Sequence, residues 1–330
     1  MARPTRRPVR SAFFEGMRFR RASESWDVEK RNEWVLGRLH YVLRQAYRET
    51  VYYRELFDGI GFDPATDFSF EDFSHLPTLE REDMHRESEK LVSSAIPAGS
   101  LKRDATGGST GVPAVIWMGP EEQGWRESSG EYFMQRLDLP IGSRIGGLWG
   151  HNLDPVASDS LRERYYNFLT NSRYFDCFRL SPEIFERYHR ELEDWRPACI
   201  VAYASALGNM AEFLLDRGYR PNYPTRCLIT GAEKLLPEHR KLIERAFVRP
   251  VHERYGGRDI GYTGFQLAPG SSLDFDIDWA NTLLEPETQE PESEILITKL
   301  HADGMPMIRY RVGDVARFPA GSKPGYPAYK

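Results

Sequence analysis

Between Pro197 and Tyr255 short apolar runs alternate with amphipathic stretches, and this alternation constrains the fold more than any other feature. Ala198-Cys199-Ile200-Val201-Ala202, Arg226-Cys227-Leu228-Ile229-Thr230 and Val251-His252-Glu253-Arg254-Tyr255 each read as a strand. Leu207 to Arg217 reads as a helix capped by Gly218, and Pro237 to Phe247 as a second helix with proline in its first turn. Strand, helix, strand, helix, strand at these lengths predicts parallel strands joined by right-handed crossovers. Ligands of such sheets gather at the carboxyl ends of the strands. Three segments fall there: Tyr203-Ala204-Ser205, Gly231-Ala232-Glu233 and Tyr255-Gly256-Gly257-Arg258-Asp259.

Upstream, Ser181-Pro182-Glu183 carries an N-cap and a first-turn proline, so another helix opens there. Ile145 to Trp149 reads as a strand, followed by Gly150-His151-Asn152. Ser25 to Glu49 places Val35, Leu36, Leu39, Val42, Leu43 and Ala46 on one stripe of an amphipathic helix. Val51 to Phe57 continues as a short helical piece ended by Gly59 and Gly61, its aromatic residues belonging to the core. After Asp278 the pattern turns β-rich: Glu294–Thr298 and Met307–Arg311 read as strands, with Gly304 and Gly313 in turns. A core of this kind extends over 22–330. The first 21 residues hold seven arginines against Glu15, which predicts a basic, mobile arm.

At 330 residues the chain is long enough to bury a large core, and 40% apolar residues suit a globular enzyme. Its net charge of −5 argues against a nucleic-acid binder. Cys177, Cys199 and Cys227 lack metal-ligand spacing, and reduced thiols are expected, buried at 199 and 227. No run approaches the about 20 apolar residues of a membrane helix. A cytoplasmic protein without a membrane partner is therefore expected.

Residues 104–113, Asp-Ala-Thr-Gly-Gly-Ser-Thr-Gly-Val-Pro, combine three glycines with three hydroxyl side chains. Successive N–H groups in such a turn make a nest for phosphate oxygens, to which Thr106, Ser109 and Thr110 add hydroxyl donors. It is not a Walker loop, because no Gly-Lys-Ser/Thr follows. On its own the run fits either a phosphate cradle or a flexible turn. The apolar segment Pro113 to Met118 behind it would anchor it as a strand.

Four segments stand in order: 106–111, Gly231-Ala232-Glu233, Tyr255 to Asp259, and Tyr310-Arg311-Val312-Gly313-Asp314. Together they resemble the adenylate-forming superfamily of acyl-CoA synthetases, adenylation domains and luciferases, in particular the phenylacetate–CoA ligase branch with its capsular-biosynthesis relatives. Tyr52-Tyr53-Arg54-Glu55-Leu56-Phe57 and the stretch Leu76 to Asp83 are similar to that branch's opening. The resemblance covers residues 30–318. It implies an α/β fold, the large N-terminal core of an adenylate-forming enzyme, with mostly parallel sheets flanked by helices and a β-rich C-terminal portion.

The resemblance also implies ATP-dependent activation of a carboxylic acid as an acyl-adenylate, then transfer to the thiol of coenzyme A. Thr106, Gly107, Gly108, Ser109, Thr110 and Gly111 would cradle the β- and γ-phosphates. Gly231, Ala232 and Glu233 would line the adenine, with Tyr255 stacked near it and Gly256 and Gly257 passing beneath. Asp314 would take both ribose hydroxyls. Asp259 stands where the family has a glutamate that helps hold magnesium, and the shorter side chain leaves direct contact open. Arg258 and Arg311 are candidates either for phosphate contacts or for structural ion pairs. Trp149, His151, Tyr203 and Ser205 would line the acid pocket, an aromatic cleft suited to an aryl or arylacetic acid. His151 either neutralises the incoming carboxylate or serves a structural role. The family's small C-terminal domain supplies a lysine, and Lys330 falls about where its hinge begins. A shortened piece, impaired in adenylation and mostly lacking thioester formation, is expected over a one-lobed variant. Transfer to an amine or a carrier-protein thiol, and a non-catalytic nucleotide binder, are the alternatives; a homodimer is compatible with either.

Overall fold

A computed structural model describes residues 8–105, 114–150, 167–168, 170–268 and 274–328. The chain forms two compact units. The second comprises residues 133–256 and 264–276, the first the remainder.

The second unit is built on parallel strands, as the alternation predicts. Strands β3 (Ile145–Leu148), β4 (Ser172–Phe175), β5 (Cys199–Tyr203), β6 (Cys227–Gly231) and β7 (Val251–Gly257) lie in the order β4-β3-β5-β6-β7, every neighbouring pair parallel. The sheet order continues through β8 (Gly261–Phe265) to β9 (Asp276–Ile277). Leu148, Ile200, Ala202 and Leu228 pack into one cluster with Tyr188, Leu207 and Phe247, whereas Cys199, Cys227 and Ile229 pack with Leu139 into another. Both faces are covered, which is why these strands read as continuous apolar runs rather than alternating ones. Each fully buried aliphatic side chain contributes about 1.5–3 kcal/mol.

Helix boundaries follow local chemistry where local chemistry decides. Pro182–Trp195 starts on Ser181, whose hydroxyl accepts from the Ile184 N–H. Pro237–Phe247 starts on its proline as expected. The helix expected from Leu207 begins three residues earlier, at Ala204, and runs to Asp216.

The first unit opens with α1 (Val9–Ser23), α2 (Val28–Glu49) and α3 (Val51–Ile60). Asp27 caps α2 through the Lys30 N–H, and Gly61, at φ +68°, ends α3. The arm expected over residues 1–21 is a helix from Val9 onward. Arg20 is buried and binds Asp278 through two hydrogen bonds of 2.9 and 2.7 Å, with a third to Ser128 Oγ at 2.8 Å. Arginine content alone misread this segment, because one guanidinium is satisfied internally and Ala12 and Met17 are buried beside it.

A hairpin of β1 (Lys102–Ala105) and β2 (Val115–Met118) flanks the glycine-rich loop, which itself lies outside the described residues. β10 (Thr282–Pro286), β11 (Glu292–Lys299) and β12 (Tyr310–Arg317) form an antiparallel sheet. The strand expected over Met307–Arg311 begins instead at Tyr310, and Gly313 lies within it rather than in a turn. Among the described residues no helix is long and apolar enough to cross a membrane.

Candidate functional site

In the second unit the predicted residues collect at the carboxyl ends of β5, β6 and β7. Tyr203 ends β5 with extended dihedrals, and a helix starts at the next residue. The Ser205 N–H of its first turn donates to the Glu233 carboxylate at 2.9 Å. A carboxylate at a helix N-terminus is favoured by the helix dipole, so Glu233 ties the turn after β6 to the helix after β5. Between them Ala232 holds φ at +64°, a left-handed conformation that costs a non-glycine residue about 1–2 kcal/mol. Local strain thus sits within the Gly-Ala-Glu segment.

The lateral register makes a row across four strands. Leu148 pairs with Ala202, Tyr203 with Gly231, and Thr230 with Glu253. One step beyond the first and last of these pairs, Trp149 stands beside Tyr203 and Gly231 beside Arg254. All four therefore share one face, since strand side chains alternate. The Trp149 and Tyr203 rings stack with centroids 4.4 Å apart. The Arg254 guanidinium lies 4.9 Å from the Trp149 ring. Its stem crosses Gly231, where an added Cβ would stand 2.9 Å from Arg254 Cγ. His151 lies outside the described residues.

In the first unit, the Arg258 guanidinium pairs with Asp104 at 3.3 Å, immediately before the glycine-rich loop. Asp259 accepts from the Ile260 N–H at 3.0 Å and from the Tyr310 hydroxyl at 3.1 Å. Burial, and then Asp259 itself, raise the Tyr310 pKa well above the usual phenol value, which keeps that donor protonated. Arg126, to which no local sequence signal pointed, donates to the carbonyl oxygens of Gly257 at 3.2 Å and Arg258 at 2.6 Å. It clamps the backbone that carries Arg258 and Asp259.

Arg311 is enclosed by carboxylates, with contacts to Glu80 at 3.0 Å and to Glu287 and Glu294 at 2.6 Å each. Glu287 first, then Glu294, raise its pKa above the ordinary guanidinium value. Of the two roles open to it, the ion pair is the one observed. Arg311 anchors an irregularity that has no signature in the linear pattern. Glu294 pairs with Val315, yet Leu296 pairs with Arg311. Residues 312–314 therefore stand opposite Ile295 alone. Gly313, at φ +87°, supplies the positive dihedral, and Asp314 is exposed on the bulge. Such bulges re-aim side chains.

Magnesium generally takes one or two protein carboxylates together with phosphate oxygens and water. Each Asp259 oxygen accepts one hydrogen bond and retains a lone pair, so the residue fits that limited share. Among the described residues there is no group of three or more His, Cys, Asp or Glu side chains able to hold a metal alone.

No protein-family profile matches the chain. It is 20% identical to Protein CapK of Staphylococcus aureus over 242 residues, 73% of this chain and 53% of that protein. It is 24% identical over 320 residues to the phenylacetate-coenzyme A ligase of Pseudomonas putida, and 22% over 321 residues to that of Escherichia coli strain K12. These two alignments cover 91% of this chain and 69% and 70% of the relatives. Among solved structures, 2-hydroxyisobutyryl-CoA ligase in complex with 2-HIB-AMP and CoA superposes with a TM-score of 0.71 at 20% identity, over 92% of this chain and 67% of that one. The chain thus spans about half the length of CapK and about two thirds of the ligases. Its fold is that of an adenylate-forming enzyme core. Over most of its length the chain is similar to phenylacetate-coenzyme A ligases.

Proposed function

We propose that this chain is the nucleotide- and acid-binding part of an ATP-dependent carboxylate–CoA ligase. One observation carries the reading: Tyr203-Ala204-Ser205, Gly231-Ala232-Glu233 and Tyr255-Gly256 all fall at the carboxyl ends of neighbouring parallel strands. Curated ligases aligned over 91% of the chain support it.

In the proposed reaction a carboxylate oxygen bonds to the α-phosphorus of ATP while the bond to the bridging oxygen breaks and pyrophosphate leaves. In the second step a thiol loses its proton, its sulfur attacks the acyl carbon, and AMP departs. The barrier to the first step is largely electrostatic, because two anions must meet. Gly231, Ala232, Glu233 and Tyr255 would bind the base and Asp314 the ribose hydroxyls. Residues 106–111 would hold the β- and γ-phosphates, and Arg126 would fix the backbone bearing Asp259. Magnesium, when bound through Asp259, supplies charge neutralisation at the phosphates. The proposed acid is aryl or arylacetic, matching the Trp149–Tyr203 pair. The thiol transfer is proposed for the whole protein.

Acid-dependent exchange of labelled pyrophosphate into ATP, run with benzoate and phenylacetate, tests the first step. Exchange with either acid is the expected result. Nucleotide binding without exchange in the whole protein would favour a non-catalytic nucleotide binder.

A further inference from the structure

We infer that Tyr310 is a positioning residue for the metal that accompanies ATP: its hydroxyl fixes the Asp259 carboxylate in the orientation that meets a magnesium ion. The inference rests on the ATP-dependent ligase reading given above and adds to it a residue that acts through Asp259.

The two oxygens of Asp259 are held from different parts of the chain. The Ile260 N–H donates to Oδ1 at 3.0 Å, a local bond of the kind aspartates make in turns. That oxygen lies over Gly257, where an added Cβ would stand 2.5 Å from it, so the carboxylate folds back across backbone that carries no side chain. The Tyr310 hydroxyl donates to Oδ2 at 3.1 Å, across 51 residues of sequence. One donor on each oxygen keeps the carboxylate from turning about its Cβ–Cγ bond. A carboxylate oxygen offers about two acceptor sites, so each retains one for a cation or a cation-bound water.

Tyr310 is itself firmly seated. Its ring is fully buried. The Leu79 N–H donates to the Arg309 carbonyl oxygen at 3.1 Å, and the Arg311 N–H donates to the Leu79 carbonyl oxygen at 3.0 Å. The Arg309 N–H donates to Thr298 Oγ1 at 2.8 Å. The backbone is thus bonded on both flanks of the tyrosine. A hydrogen bond to an ionised acceptor is roughly twice as strong as a neutral one. Magnesium demands near-ideal octahedral geometry and gives up water reluctantly, so a carboxylate free to rotate would serve it poorly, directly or through water. Groups that orient a metal ligand are worth about 10–100-fold in metal affinity. Asp314, proposed for the ribose, lies on the same strand, so β12 would serve both the metal and the sugar.

The test measures the Kd for ATP by calorimetry, with magnesium and again with a chelator, in the whole protein as wild type, Tyr310→Phe, Asp259→Asn and the double variant. Phenylalanine keeps the ring and removes only the hydroxyl, Tyr310→Met serves as a second variant, and melting curves check folding. Wild type is expected to bind ATP more tightly with magnesium than without. In Tyr310→Phe that tightening shrinks about tenfold, while the Kd with chelator stays within twofold. A general loosening of the fold would weaken both. Asp259→Asn shrinks the tightening at least as far, and adding Tyr310→Phe to it changes nothing further. A folded Tyr310→Phe or Tyr310→Met protein with wild-type tightening overturns the inference and leaves the ligase reading standing. So does an Asp259→Asn protein with wild-type tightening, or a wild type whose ATP binding magnesium does not tighten. A wild-type protein that binds ATP under neither condition overturns the ligase reading itself.

Discussion

The Lys299 ammonium donates to the Glu122 carboxylate at 2.6 Å, with each side chain 6% exposed. Burial pushes the Glu122 carboxyl up from its ordinary value, and the Lys299 charge opposes that push. Removing one partner of a buried pair leaves a stranded charge, which costs about 3–5 kcal/mol. Lys299→Met alone is therefore expected to lower stability by that amount in chemical denaturation. Adding Glu122→Leu to Lys299→Met should recover most of the loss. A double variant no more stable than the single one would show that the pair contributes more than mutual neutralisation.

His189, His252 and His301 are all buried, and burial holds each pKa below the ordinary value of 6.5. For His301 the neighbouring Arg38 and Arg20 charges lower it further. The unfolded chain takes up these protons first as pH falls, so the stabilisation is complete above about pH 6.5 and is lost below it. Urea midpoints should fall between pH 7.5 and pH 5.5. His252→Asn should flatten that fall, because burial lowers the His252 pKa in spite of the bond its ring makes to the Gln266 carbonyl oxygen at 2.9 Å, which favours the charged form. Equal midpoints at the two pH values would contradict this account.

Gly231→Ala places a methyl group within 2.9 Å of Arg254 Cγ, so the stem must move or the strands must part. Overpacking of this kind costs about 1–3 kcal/mol. The displaced guanidinium should also leave Trp149, which a change in tryptophan fluorescence would register. A variant with wild-type stability and an unaltered spectrum would mean that the gap is not needed.

Asp314→Ala is expected to weaken ATP binding at least tenfold, about 1.4 kcal/mol, with little change in melting temperature. The residue is exposed on its bulge, so structure and binding should separate cleanly. Unchanged affinity by calorimetry would remove the proposed ribose contact.

Much of the fold could be read directly from the chain because its signals are local. Pro237 sets a helix start, and the apolar runs at 199–203 and 227–231 declare strands buried on both faces. What escaped the sequence depends on partners distant along it. Arg20 looks like one more charge in a basic leader until Asp278 and Ser128 close around it. The helix start at Ala204 lies ahead of the apolar stripe and is served by Glu233, on a different segment. Arg126 acts on backbone more than a hundred residues away. The Arg254 crossing depends on which residue stands beside it one strand over, and lateral register leaves no trace in a linear pattern.

The bulge in β12 has a consequence for how the chain tolerates length changes. Residues 312–314 face the single Ile295, so β12 carries two residues more than its partner requires. Side chains on a strand change face with every residue. Excising Gly313 and Asp314 together would leave Val315, Ala316 and Arg317 on their present faces, matched as before to Glu294, Ser293 and Glu292. Losing a single residue would turn that whole terminal segment over. A paired deletion here would thus remove the carboxylate while sparing the sheet, so at this bulge shortening the chain by two is milder than shortening it by one.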